Sequence, residues 1–322
     1  MKNFLILVFA VLLATPVFSQ WRTIRTRNQC SARHECGFVE HKKDLYLVGG
    51  RRIHPVEKFT VADSAWAQLA ETPLEMHHIT PVSVNDKIYV VGGLTGKYPK
   101  EPPLSHVYAF DPKTNTWVKV FEIPEDRRRG GAGVTVYKGQ IYIVNGITLG
   151  HTSGTCAMFD VYDPEANTWT KLPDAPTIRD HSSAVVLGGK LIALGGRNTS
   201  YHEEGKFSAF FSTVRTTVDY FDFKTQKWDT YKSEVPAPSA GAGAVAFKGK
   251  VYFVGGETGE KPANHHMYAF NPKKDEWVKK SYLNRGRHGT NAVLRSGKIY
   301  IAAGSGNRGG GPELTSIEVY TE

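Results

Sequence analysis

Short apolar runs separated by turn-rich polar stretches dominate the chain, and one such phrase returns six times: "HKKDLYLVGG" (41–50), "VNDKIYVVGG" (84–93), "YKGQIYIVNG" (137–146), "LGGKLIALGG" (187–196), "FKGKVYFVGG" (247–256) and "RSGKIYIAAG" (295–304). In each, a turn of Gly, Asn, Asp or Lys feeds an alternating or wholly apolar run that stops at small residues, the pattern of a hairpin entering a buried strand. A second phrase follows at variable distance: "FTVADSAW" (59–66), "FDPKTNTW" (110–117), "YDPEANTW" (162–169), "FDFKTQKW" (221–228) and "FNPKKDEW" (270–277). An aromatic residue, a tight turn and a tryptophan predict a third strand turning into a fourth. Each unit, at a period of about 50 residues, therefore predicts a four-stranded antiparallel sheet.

The sixth unit stops at Val319-Tyr320-Thr321-Glu322, where its fourth strand and tryptophan should begin, while Trp21-Arg22-Thr23-Ile24 supplies a tryptophan and a strand ahead of unit one. A ring closed in this way removes the open sheet edge that invites aggregation. The double glycine after an apolar strand, then Tyr or Phe, then Trp, resembles the Kelch repeat, and the resemblance implies the blades of a β-propeller. The expected fold is all-β: a six-bladed propeller of four-stranded blades over residues 20–322, closed by the N-terminal strand. Blade cores are expected at about 33–73, 77–124, 129–176, 180–236, 239–283, and 287–322 plus 21–26. Asn145 and Ala303 depart from the pattern at the first glycine, and Phe223 at the usual turn proline.

The first residues, "MKNFLILVFAVLLATPVFSQ", carry one lysine, an apolar run from Phe4 to Ala14 and small residues before Ser19. They read as a secretory signal over residues 1–19, because the run is shorter than the roughly 20 residues that span a bilayer. The expected location is secreted or periplasmic, with no membrane span. Three cysteines are few for an exported chain. Cys30 and Cys36 are close enough to bridge a small loop, Cys156 has no obvious partner, and the alternative is that Cys36 is simply a small buried residue.

Counting back sixteen positions from the first member of each glycine pair aligns Arg33, Met76, Arg129, Arg179, Ser239 and Arg287. The next two columns read His34, His77, Gly130, Asp180, Ala240, His288, and Glu35, His78, Gly131, His181, Gly241, Gly289. The column after these is small or apolar, as packing near an axis requires: Cys36, Ile79, Ala132, Ser182, Ala242 and Thr290. Loops after the glycine pairs add Arg51, Arg52, Arg197, Glu257 and Arg308 to the same face. The longest insertion (197–217) brings Tyr201, Phe207, Phe210 and Phe211, either as a wall or lid or as its own packing.

A ring of arginine forks suits carboxylate, sulfate or phosphate groups, so the expected ligand is an acidic or amino sugar, or another anionic small molecule, at the channel mouth. The other reading of each arginine is a bridge to an acidic neighbour such as Asp126 or Glu75. Ligand contacts are expected from Arg33, Arg129, Arg179, Arg287, His77, His78, Asp180, His181, Arg51, Arg197 and Arg308. Acid–base work is expected of Glu257, His288, His34 or Glu35. His34, His77, His288 and Asp180 offer metal ligands, but side chains on different blades of a six-fold ring stand far apart, so neither metal nor cofactor is expected.

Net charge is +9, and "PEDRRRGGAG" (124–133) joins arginines to glycines; RGG elements act as repeated disordered tracts, so a single copy at a strand start does not predict nucleic-acid binding. The copper radical site of the galactose oxidase family has no counterpart in these residues. The chain is similar to secreted bacterial six-bladed Kelch proteins, including the N-acetylneuraminate epimerases. That resemblance implies a sugar-acid mutarotase with Glu257, in "VGGETGEKP", in the place of the base. If the site is catalytic, the expected enzyme is an epimerase, mutarotase or lyase acting on an acidic or amino sugar; the expected alternative is a non-catalytic propeller that binds glycan or protein at the same mouth.

Overall fold

The computed structural model describes residues 20–322; the expected signal, residues 1–19, lies outside them. Six sheets of four antiparallel strands form the blades of a propeller. Blade 1 comprises Cys36–His41, Asp44–Gly49, Pro55–Thr60 and Ala65–Glu71. Blades 2 to 5 begin at Val82–Val84, Gly133–Tyr137, Asp180–Leu187 and Gly243–Phe247. Blade 6 takes Ala292–Arg295, Lys298–Ala302 and Ile317–Thr321, and its outer strand is Gln20–Thr23 from the other end of the chain. In that clasp Trp21 lies opposite Tyr320 and Arg22 opposite Val319. Helix is confined, among the described residues, to two short 3-10 turns, Glu125–Arg127 and Phe207–Ser212.

Because side chains alternate between the two faces of a strand, each blade turns one apolar face to the blade before it and one to the blade after. The core is accordingly divided into clusters that lie between blades. Val39, Tyr46 and Val48 of blade 1 pack on Ile88, Val90 and Phe110 of blade 2, and Phe38, Leu47 and Phe59 of blade 1 pack on Tyr300 and Val319 of blade 6. The third-strand aromatic and the fourth-strand tryptophan of the sequence pattern meet as ring pairs, such as Phe59–Trp66 at 4.9 Å and Phe110–Trp117 at 5.2 Å.

Around the axis the blades are tied by a closed circuit of backbone hydrogen bonds. His78 N donates to Glu35 O (2.9 Å), Gly131 N to His78 O (2.9 Å), Ser182 N to Gly131 O (3.4 Å), Gly241 N to His181 O (2.7 Å), Gly289 N to Gly241 O (2.9 Å) and Cys36 N to Gly289 O (3.1 Å). Inside this girdle the channel narrows to about 40 Å³, lined by the small column that includes Cys36, Ala132, Ser182 and Ala242. On one side it widens into a funnel of about 440 Å³ lined by residues such as Val82, Val134, Val185, Val245 and Val293. The other side is the polar mouth.

The arginine column does not reach that mouth. Arg33, Arg129, Arg179 and Arg287 are buried, and each pairs with a carboxylate on the third strand of its own blade: Glu57 (2.7 Å), Asp160 (2.8 Å), Asp219 (2.6 Å) and Glu318 (2.6 Å). Each also donates to the carbonyl of the residue that opens the glycine pair: Gly49 (3.1 Å), Asn145 (2.6 Å), Gly195 (3.0 Å) and Ala303 (3.0 Å). The expected ring of ligand-binding forks is thus a set of latches holding first, second and third strands together. The fork that suits an anionic ligand is here satisfied by the blade itself. The other arginines of "PEDRRRGGAG" are also paired, Arg127 with Asp160 (2.9 Å) and Arg128 with Glu122 (2.9 Å).

Cys30 and Cys36 are both buried and unbridged, so the small-loop disulfide is not formed. Their sulfurs face the carbonyls of Thr315 (3.3 Å) and Gly289 (3.6 Å), and burial pushes both thiols up to about 12. A thiolate-directed reagent at pH 8 should leave both untouched in folded protein and modify them after denaturation. Thiol counts with and without guanidinium check this, and two additional fast-reacting thiols in the native protein would refute it.

Candidate functional site

The third residue of the aligned columns sits on the girdle, and in every blade its backbone is left-handed: Glu35 (φ 52°), His78 (53°), Gly131 (60°), His181 (51°), Gly241 (62°) and Gly289 (64°). Glycine adopts this conformation freely, whereas a side chain there costs roughly 1–2 kcal/mol. Three blades take the relaxed solution. The other three carry the strain and place two imidazoles and a carboxylate on the axis; backbone strain of this kind clusters at active and ligand-binding sites.

Two further groups arrive from insertions. Blade 3 extends its central hairpin beyond the glycine position, through Gln140–Leu149 and Ser153–Asp163, and the turn carries His151 over the axis. His151 Nδ1 lies 2.6 Å from Glu101 Oε2, and Glu101, buried in the blade 2 insertion, also pairs with Arg51 at 2.5 Å. Rings of His78, His151 and His181 approach one another with centroids 4.8 to 5.2 Å apart. Beside them lies a cavity of about 340 Å³ lined by His34, Glu35, Arg51, His78, Tyr98, His151, Arg197, Phe211, Glu257, Gly309 and Gly310.

The remaining expected site residues fall into place around this cavity. Arg197 is buried, ion-paired with Glu257, and donates towards His151 Nε2 (3.4 Å) and His181 Nε2 (3.3 Å). Its guanidinium stands over Phe210 (4.8 Å) and Phe211 (5.0 Å), which fixes the 197–217 insertion against the mouth. Asp180 holds His181 Nδ1 at 2.6 Å, and His77 holds His78 through their Nδ1 atoms at 2.5 Å. His34 pairs with Glu313 at 2.8 Å. His288 Nε2 faces the carbonyls of Asn307 and Gly309, each at 2.9 Å, so it donates there, and Nδ1 faces Glu35 at 3.6 Å. Arg308 lies outside the cavity, over Phe211 at 5.1 Å.

The chain matches the family model described as the KLHDC2/KLHL20/DRC7 Kelch-repeats domain over residues 9–196 and 82–304. It is a Kelch-repeat protein. It is similar to the Kelch-like protein terF of Aspergillus terreus, at 29% identity over 90% of this chain and 65% of that one, and to human Kelch-like protein 23, at 27% identity over 72% and 46%. The Kelch chain spans about two thirds of terF and less than half of protein 23. Among solved structures it is similar to the one titled "Structure of YjhT", with a TM-score of 0.75 at 18% identity, covering 90% of this chain and 95% of that one. That likeness establishes the shared fold. No helix among the described residues of the Kelch propeller is long and apolar enough to cross a membrane.

Electrostatics of the Kelch mouth divide the groups by role. Burial alone would raise the carboxyl of Glu257, but His288 and Arg197 outweigh it and hold the group well below the usual carboxylate range. Its Oε2 also accepts from Gly309 N at 2.8 Å. With one oxygen on Arg197 and the other on Gly309 N, the carboxylate expected as the base also positions Arg197. Glu101 and Asp180 are likewise held near 2 against the opposing effect of burial, mainly through their hydrogen bonds to His151 and His181. Burial pushes the His78 and His151 imidazoles down towards the neutral form, and His77 to about 4.

His34, His77, His288 and Asp180, weighed as possible metal ligands from the sequence, are not the set the fold brings together. Ligating nitrogens of His78, His151 and His181, from three blades, lie within 4.8 Å of one another. The ring is therefore narrower at the girdle than the sequence argument assumed. His151 and Glu101 escaped that argument because columns counted back from the glycine pairs cannot see residues after them. The available signal was "GITLGHTSGT", where a strand pattern continues past the glycine position.

Proposed function

We propose that this Kelch propeller is an exported binding protein whose mouth takes a sugar acid or amino sugar. The observation that carries the reading is the make-up of the mouth cavity, where Tyr98 and Phe211 supply flat apolar faces, and His34, Glu35 and Arg51 supply directional polar groups, within about 340 Å³. A pyranose ring has the same division, an apolar C–H face and a rim of hydroxyls, and the volume falls in the range of small-molecule sites. Arg51, tied through one nitrogen to Glu101, and His34 are the groups that meet a ligand carboxylate. The resemblance to sugar-acid mutarotases and the expected signal over residues 1–19 support the same reading. Glu35 and His288, 3.6 Å apart, form the pair suited to moving a proton.

Calorimetric titration with uronic acids, sialic acids, amino sugars and sulfated glycans tests this. At least one sugar acid should bind, and Tyr98→Ala, at an exposed ring, should weaken it about tenfold, or ~1.4 kcal/mol. A panel with no binder, or a Tyr98→Ala variant that binds as the wild type does, would sink the reading. Mutarotation rates on any sugar that binds then separate the two forms of the site. Acceleration lost in Glu35→Gln assigns proton transfer to it, and no acceleration leaves a non-catalytic binder.

Tyr98 and Phe207, both exposed and 6.2 Å apart on the rim, favour a second reading in which a polypeptide seats over the mouth. Phe207→Ala leaves the cavity lining intact, so loss of a protein partner with sugar binding unchanged would select that reading.

A further inference from the structure

Three imidazoles at the girdle are wired so that each turns the same atom towards a common point. His151 donates from Nδ1 to Glu101 Oε2 at 2.6 Å, and His181 donates from Nδ1 to Asp180 Oδ1 at 2.6 Å. The third wire is one residue longer. His77 Nε2 faces the Gly96 carbonyl at 3.2 Å and must donate to it, so His77 Nδ1 accepts and His78 Nδ1 donates in their 2.5 Å contact. A neutral imidazole protonated at Nδ1 carries its lone pair on Nε2. All three Nε2 atoms are therefore lone pairs, on rings whose ligating nitrogens lie within 4.8 Å of one another.

The described residues satisfy the set only in part. His78 Nε2 is buried and has no hydrogen-bond partner. Arg197 Nη2 donates towards the other two at 3.4 and 3.3 Å, long for a charge-assisted bond, so the guanidinium gives up little if another cation takes those lone pairs. The surrounding charge favours one: among the described residues Glu35, Glu101, Asp180 and Glu257 face two permanent cations at close range, Arg51 and Arg197, with His288 beside Glu35 and Glu257, so the carboxylates exceed the arginines by two. Two of the three histidines also hold left-handed backbone that glycine occupies in other blades.

We propose that His78, His151 and His181 bind a divalent transition metal of the zinc class, with an open coordination position towards the mouth cavity and Glu35 beside it. Three imidazoles suit zinc, copper or nickel rather than calcium or magnesium. A three-ligand set with a free position is the arrangement of reactive rather than structural zinc. The acceptors behind each Nδ1 are the partners that orient histidine ligands and raise their basicity. His78 Nε2 stands 3.5 Å from Glu35 Oε2, which puts that carboxylate within reach of a group bound at the open position. The inference concerns the metal alone and stands whether or not a sugar acid is the ligand.

The test is equilibrium dialysis of chelator-stripped protein against Zn²⁺ and Co²⁺, with metal counted by mass spectrometry and the Co²⁺ form read by visible absorption. One equivalent should be retained at micromolar free metal, with the intense visible bands of a low-coordinate nitrogen site. His151→Ala should abolish retention. His78→Gly and His181→Gly should do the same, and because glycine suits the left-handed backbone these variants keep the fold, as far-ultraviolet circular dichroism will show. Glu101→Gln, at a positioning residue, should weaken binding about 10–100-fold without abolishing it. A wild-type protein that retains neither metal, or glycine variants that retain it as the wild type does, overturns the proposal.

Discussion

Arg179→Ala should lower the stability of the folded protein by about 3–5 kcal/mol, because it leaves the Asp219 carboxylate buried without its cation. Both side chains are fully inaccessible, and the guanidinium also donates to the Gly195 and Thr217 carbonyls at 3.0 and 3.1 Å and to the Thr217 hydroxyl at 2.9 Å, so four acceptors lose this donor at once. Blade 2 shows how the same position is built without charge. Where blade 4 has Arg179 and Asp219, blade 2 has Met76 and Tyr108, both buried in one apolar cluster. Arg179→Met combined with Asp219→Tyr should therefore recover most of the loss, as buried ion pairs replaced whole by apolar groups commonly do. Guanidinium denaturation of the single and double variants measures both effects. A single variant as stable as the wild type would show that the latch contributes nothing to the blade.

Trp21→Ala should destabilise the propeller by a similar amount, roughly 3–5 kcal/mol, the usual cost of emptying a large aromatic site. Trp21 is buried on the clasp strand, with its ring centroid 5.6 Å from that of Tyr320. Removing residues 20–24 altogether has a second consequence. Ile317–Thr321 then becomes an unpaired edge, and such edges recruit other chains. Light scattering should show concentration-dependent association of the truncated protein and none of the point variant at temperatures where it stays folded. A monodisperse truncated protein would mean that the blade 6 edge is protected by something other than the clasp.

The repeat made the fold legible. Strand number, blade order and the clasp follow from six turn-and-strand phrases, four of them closed by a glycine pair, five aromatic–tryptophan phrases and one displaced tryptophan, because each repeated unit reports the same hydrophobic alternation. The site was legible only in part. Glu35, His78 and His181 lie in one aligned column and could be read as axial. His151, Glu101 and Tyr98 lie in insertions of unequal length, where alignment has no purchase. The arginine column was found but assigned to the wrong surroundings. The correcting pattern was present in the chain: acidic residues Glu57, Asp160, Asp219 and Glu318 occur on the third strand in the same four blades as the arginines, and Tyr108 and Tyr268 replace them where the arginine is missing. A charge that appears and disappears together with its opposite across repeats reports a pair inside the repeat, not a surface for a ligand.

Gly131, Gly241 and Gly289 hold the turn that Glu35, His78 and His181 hold, so the girdle amounts to a row of six sockets facing one axis, three filled and three vacant. Changing the chemistry of the channel needs no new loop, only a side chain set into a backbone already bent to receive it, at a cost of roughly 1–2 kcal/mol for the left-handed turn and a small yielding of the next blade's backbone. The vacant sockets differ in how open they are. A β-carbon at Gly289 would come within 2.8 Å of the Glu35 backbone nitrogen and 2.9 Å of its carboxylate, whereas the closest approaches at Gly131 and Gly241 are 3.2 and 3.1 Å. What the axis holds can thus be altered one socket at a time, and blades 3 and 5 offer the ones with least rearrangement.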